Sequence, residues 1–139
     1  DNTVYPQSLG LRRILEKLKD SEFKAEAEEL LKQEKIRPSK GKVQTTDHPP
    51  IYPTEAATKK QLKGDKWTLY ELIARRFLAT VAPPAKAEVS SAVISIKNEK
   101  FSSKGYKLIF QGWKKYYPYL KTTEIDLPEM MIWEDVNVL

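Results

Sequence analysis

The sequence predicts an α+β fold, helices first and strands after, on three observations. Apolar residues recur at three- and four-residue intervals as far as Pro83-Pro84. Beyond those prolines the period shortens to two, in stretches rich in β-branched residues. Between the helical stretches lies a proline-rich segment that no long helix tolerates. The change of period predicts two parts, residues 1–82 helical and residues 83–139 β-rich and antiparallel.

The elements follow in order. Ser8 is the expected cap of a first helix, on which Leu11, Ile14, Leu15 and Leu18 share a face and Arg12, Arg13, Lys17 and Lys19 turn outward. Asp20-Ser21 interrupts it and caps a second helix, with Phe23, Ala27, Leu30, Leu31 and Glu34 at helical spacing. From Lys35 to Thr54 the prolines at 38, 49, 50 and 53 and Gly41 break the pattern. Asp65 reads as the cap of a third helix running from Lys66 to about Ala79. Its buried stripe is Trp67, Tyr70, Ile73, Ala74, Phe77 and Leu78, with Arg75-Arg76 toward the C-terminal end that favours cations. After Pro84, Val89 to Lys97 alternates as a strand with Ala92, Ile94 and Ile96 on one face. A connection at Asn98-Glu99-Lys100, a short return strand Phe101-Ser102-Ser103, a turn at Lys104-Gly105 and a strand Tyr106 to Gln111 are expected next. An aromatic run of Trp113, Tyr116, Tyr117 and Tyr119 follows, half of its rings expected in a sheet core, and Met130 to Val138 is a last strand candidate.

Composition excludes several functions. The chain has 139 residues and no cysteine, so it holds no disulfide scaffold, thiol nucleophile or cysteine-ligated zinc. One histidine cannot build a multi-histidine metal centre. No apolar run is long enough to span a membrane and no signal segment stands at the start, which predicts a cytoplasmic protein without a membrane partner. A first residue Asp1 in place of Met suggests a piece of a longer chain. The formal charge is +5, and its distribution is segregated. Lys35 to Lys66 carries eight basic residues against three acidic, Lys97 to Lys121 seven against one, and Thr122 to Leu139 five acidic and no basic. Two basic blocks favour a polyanionic partner.

The most distinctive string is Thr46-Asp47-His48-Pro49-Pro50-Ile51-Tyr52-Pro53-Thr54-Glu55. Three prolines in five residues stiffen the backbone, so that His48 and Thr54 stand rigidly in front of Lys59, Lys60 and Lys63. An imidazole so held suits a phosphodiester oxygen as charge partner or donor. A polyproline-like connector with an exposed histidine is the plain alternative.

This string resembles the histidine motif of type IA DNA topoisomerases in its archaeal form, His-Pro-Pro-Ile-x-Pro-Thr. Leu69 to Ala79 is similar to the helix that follows it in that family, and Gly105-Tyr106-Lys107-Leu108-Ile109-Phe110-Gln111-Gly112-Trp113 to the next β segment. Asp1-Asn2-Thr3-Val4-Tyr5-Pro6 matches the residues directly after the family's Tyr-Pro-Arg-Thr active-site motif. The resemblance implies a fragment of an isomerase that cuts one DNA strand through a 5′-phosphotyrosine, passes another strand and reseals. It implies that residues 1–82 are the helical part of the tyrosine-bearing domain and 83–139 part of the arch domain. His48 then contacts the phosphate near the scissile bond and Asp1 matches a supporting acidic residue. The nucleophilic tyrosine precedes Asp1, Tyr5 does not replace it, and Mg2+ belongs to the parent enzyme, leaving no cofactor or metal here. The fragment alone is expected to bind DNA, single strands above all, without cutting it. Thr54, Arg12, Arg13, Lys59, Lys60, Lys63, Arg75, Arg76, Lys114 and Lys115 are the candidate DNA contacts. Tyr52 stands where the bacterial motif has arginine. In the family the arch draws strands from earlier sequence, so self-association through unpaired β edges or disorder is expected in the C-terminal half. Two other readings stay open: a winged-helix-like DNA-binding module, and a nuclease with His48 as base beside Asp47 and Glu55.

Overall fold

The computed structural model describes residues 3–40, 48, 50–131 and 135. They form three α-helices and then a two-stranded antiparallel sheet, an α+β order, in two compact units. One unit comprises Asp1–Pro84 with Gly112–Leu120, the other Ala85–Gln111 with Lys121–Leu139.

In the first unit, a 3-10 turn at Gln7–Leu9 leads into α1, Leu11–Leu18. Gly10, at φ 65°, is its N-terminal boundary and no side chain caps it, which corrects the expectation for Ser8. A left-handed residue is needed where the 3-10 turn gives way to the helix, and glycine adopts it without a Cβ clash. Ile14, Leu15 and Leu18 are buried, as their spacing predicts. Ser21 ties the next turn: its hydroxyl donates to the Leu18 carbonyl at 2.6 Å and accepts from the Phe23 amide at 3.1 Å. Helix α2, Lys24–Leu31, then starts after Phe23 and buries Ala27 and Leu30. Arg12 reaches across to donate to the carbonyls of Leu31 and Gln33, at 3.1 and 2.9 Å, where the end of α2 leaves acceptors without helical partners.

Helix α3, Asp65–Val81, is the central element of this unit. Gly64 at φ 57° precedes it, and Asp65 lies in its first turn rather than capping it. Trp67, Ala74, Phe77, Leu78, Ala79 and Val81 are buried along it, joined by Phe23, Leu15, Leu18 and Leu30 in one hydrophobic core. Three rings of the aromatic run, all but Tyr119, pack into the same core. Tyr116 is 3% exposed there, with Trp113 and Tyr117 packed against it, and the Trp113 amide donates to the Pro83 carbonyl at 2.9 Å. These rings were expected in part in a sheet; they seal the helical core because Gly112–Lys115 folds as a 3-10 turn directly after the strand.

The second unit is a long hairpin. Strand β1, Lys86–Ile96, pairs with β2, Glu99–Phe110, through the two-residue connection Lys97-Asn98 with Lys97 at φ 55°. The turn therefore lies one residue earlier than expected. Nor does Lys104-Gly105 turn: β2 is continuous, with Gly105 opposite Ser90 and Lys104 opposite Ser91. Gly105 is buried because another segment crosses it. A Cβ there would stand 3.0 Å from both the Ile125 carbonyl oxygen and Leu127 Cγ. Tyr106 and Ile125 exchange backbone hydrogen bonds of 2.8 and 3.0 Å at that crossing. Glycine serves close approach here, not chain reversal. Of the last strand candidate, Met130 and Met131 are not in a strand, and most of the rest lies outside the described residues.

Candidate nucleic-acid interface

The segment after His48 lies on the helical unit and is pinned at successive residues. Tyr5 donates its hydroxyl to the Ile51 carbonyl at 3.1 Å and meets the Tyr52 ring edge-on, centroids 6.3 Å apart. Pro53 is buried. Lys17 Nζ donates to the Thr54 carbonyl at 3.0 Å and pairs with Glu55 Oε1 at 2.7 Å. Tyr70, on α3, donates to the Glu55 carbonyl at 2.8 Å and accepts from the Ala57 amide at 3.0 Å. Three side chains from the N-terminal segment, α1 and α3 thus hold one irregular segment by its backbone. The prolines make this economical, since they have already removed most of its conformational freedom. His48 lies exposed at the start of this segment, and Ile51, 73% exposed, projects from it.

Electrostatics separate the clamp from chemistry. Burial pushes the Tyr5 phenol up to about 12, against the pull of the Arg76 charge, so at neutral pH it is a protonated hydrogen-bond donor. Burial likewise raises Tyr70, opposed by the bond from the Ala57 amide. Glu55, weighed as a partner for His48 in a nuclease, is engaged by Lys17.

The candidate cations divide into two groups. Arg12 is spent on the end of α2, as described. Arg75 is half-buried, donating to Glu71 at 2.8 Å and lying 5.2 Å over the Phe23 ring. That hydrogen bond is the main reason the Glu71 carboxyl is held below its usual range. Lys115 pairs with Glu29 at 2.6 Å and holds that carboxyl low. Burial and the same Glu29 push Tyr116 up to about 12. These three serve packing. In the second group, Arg13, Lys60 and Lys63 are exposed and make no side-chain ion pair with another described residue, and the others lie over aromatic rings, Lys114 half-buried. Lys59 lies 5.6 Å over the Trp67 ring, Arg76 5.4 Å over Tyr117 and Lys114 5.5 Å over Trp113. Thr54 is exposed, and it is its carbonyl that is held. Asp1 and Asp47 lie outside the described residues.

Tyr5, Lys17 and Tyr70 were not singled out as site residues from sequence. Tyr70 reads as a core position and Lys17 as a solvent charge, and both readings are half right. A tyrosine on a half-buried stripe carries a polar end that must find a partner, which is the one signal available in advance. Among the described residues no group of three or more His, Cys, Asp or Glu side chains could hold a metal ion, and no helix is long and apolar enough to cross a membrane.

The family model for DNA topoisomerase matches residues 1–138. The chain belongs to the type IA DNA topoisomerase family. It is 47% identical to DNA topoisomerase 1 of Archaeoglobus fulgidus over 128 residues, covering 92% of this chain and 19% of the relative. DNA topoisomerase 1 of Thermoplasma acidophilum is 38% identical over 139 residues, all of this chain and 18% of that protein. DNA topoisomerase 3 of Schizosaccharomyces pombe is 35% identical over 134 residues, 94% of this chain and 22% of its own. The chain thus spans less than a quarter of the length of these curated relatives.

Proposed function

We propose that this chain is part of an isomerase that changes DNA topology by cutting one strand through a 5′-phosphotyrosine, passing another strand and resealing. His48 contacts the phosphate beside the scissile bond, and the open cations Arg13, Lys59, Lys60 and Lys63 with Arg76 and Lys114 hold the backbone. Asp1 supports the catalytic tyrosine. Residues 1–82 correspond to the tyrosine-bearing domain and 83–139 to part of the arch. The single observation that carries this reading is the proline-stiffened segment clamped by Tyr5, Lys17 and Tyr70 with His48 exposed at its head. A clamp of that kind keeps an imidazole in one place before the phosphate arrives, which lowers the ordering cost of binding.

The Mg2+ that the family implies for the parent enzyme has no ligand set among the described residues, so this reading assigns it no residue of this chain. The 139-residue chain alone binds DNA without cutting it, since its Tyr5 is a buried donor to Ile51. Single strands are the preferred partner. The hairpin, with Val89, Val93, Ile109 and Phe110 exposed, is an association surface for a second copy.

Plasmid nicking and oligonucleotide binding test the reading. The chain leaves supercoiled plasmid intact with or without magnesium, and its affinity for DNA falls at least tenfold between about 50 and about 200 mM salt. His48→Ala weakens binding severalfold while the chain stays folded, since the residue is exposed. Affinity indifferent to salt, or magnesium-dependent cleavage lost in His48→Ala, would overturn it.

A further inference from the structure

Four aromatic residues between Gly112 and Leu120 have different surroundings, and the difference points to a use. Tyr116 is sealed in the core, and Trp113 and Tyr117 are packed against it. Tyr119 is 52% exposed. It meets Tyr117 edge-on, centroids 5.1 Å apart at 80°, which braces a ring that is otherwise largely open to solvent. Pro118 stands between the two tyrosines and fixes the backbone that sets this angle. On Tyr117 lies the exposed guanidinium of Arg76, 5.4 Å from the ring centroid. The Arg76 charge is also felt at Tyr5, whose phenol it pulls down against the burial that raises it. A cation therefore sits on the ring that braces the exposed Tyr119.

We propose that Tyr119, braced by Tyr117 and Arg76, is a stacking platform for one unpaired base of a single DNA strand, whose phosphate is met by Arg76. The proposal rests on the DNA-binding reading above and adds a base contact to its backbone contacts. An exposed aromatic ring has little to offer a duplex, whose base faces are already stacked, whereas an unpaired base presents a face that a ring can stack on. An apolar partner protein would not call for a cation on the neighbouring ring, and Lys114 over Trp113 adds a second positive group on the same short segment. The platform recognises no sequence, since every base has such a face.

Binding of the 139-residue chain to a fluorescent oligothymidylate and to a blunt duplex of equal length provides the test. Tyr119→Ala weakens oligothymidylate binding between about fivefold and about a hundredfold and leaves duplex binding unchanged. Tyr119→Trp restores the lost affinity. The salt slope for oligothymidylate is unchanged in Tyr119→Ala, which removes no charge, and shallower by about 0.7 in Arg76→Gln. Equal melting temperatures show that each variant is folded. Unchanged oligothymidylate affinity in a folded Tyr119→Ala, or an equal loss on both probes, would overturn the platform while leaving the DNA-binding reading standing. Failure of the unmodified chain to bind either probe would overturn both.

Discussion

Tyr5 carries two jobs that a single atom change separates. Its ring lies between Tyr52 and Phe77, 6.3 and 5.8 Å away, and its hydroxyl holds Ile51. Tyr5→Phe keeps the ring and removes the bond, costing about 0.5–1.5 kcal/mol at neutral pH. The same substitution changes the alkaline limit of the fold. Burial raises the Tyr5 phenol from its ordinary 10.0 to about 12, so the folded form resists ionisation that the unfolded chain permits. The resulting stability is complete below pH 10 and is lost as the pH climbs to about 12. Melting temperatures of the Tyr5→Phe chain, measured across that range, therefore fall less steeply than those of the unmodified chain. An identical slope in both would remove Tyr5 from the account. None of this was visible in the sequence, where Tyr5 is simply a tyrosine next to a proline.

The helices were legible at the level of elements because their apolar spacing and their burial agree. Ile14, Leu15 and Leu18 on α1 and Trp67, Ala74, Phe77 and Leu78 on α3 are where the period puts them. Boundaries were less legible: Gly10 and Gly64 set the starts of α1 and α3 by backbone geometry, not Ser8 and Asp65 by side-chain capping. Gly105 was misread for the same kind of reason. A glycine between two strand-like stretches signals either a turn or a close approach, and only the crossing of Ile125–Leu127 decides which. Gly105→Ala forces the crossing segment to shift away from β2, and destabilises the second unit by about 1–3 kcal/mol. Amide exchange reads this directly, since the amides of Tyr106 and Ile125 lose protection in the variant. Retained protection at both would show that the crossing yields without cost.

At the scale of the whole molecule, stability is concentrated in one unit. Among the described residues, all fifteen buried hydrophobic ones belong to the helical unit, while the hairpin unit buries only Gly105. A two-stranded hairpin with exposed faces is marginal in water. Amide exchange should accordingly be slow at Leu15, Leu18 and Phe77 and faster by orders of magnitude along Val89–Ile96. Comparable protection in both would contradict the division. The exposed hairpin also makes a concentration-dependent dimer the expected state, measurable by light scattering, since the described residues place no strand beyond β1 to cover its outer edge. A monomer at high concentration would exclude that use of the surface. What the residues alone determined was the order of helices and strands, the core stripe and the His48 string with its family likeness, all of them local in the chain. Only tertiary structure decided which cations are consumed by packing, which tyrosines clamp the histidine segment and where the aromatic run settles. Those choices depend on groups far apart in sequence meeting at hydrogen-bond distance, such as Tyr5 with Ile51 and Lys115 with Glu29, and no local spacing encodes such meetings.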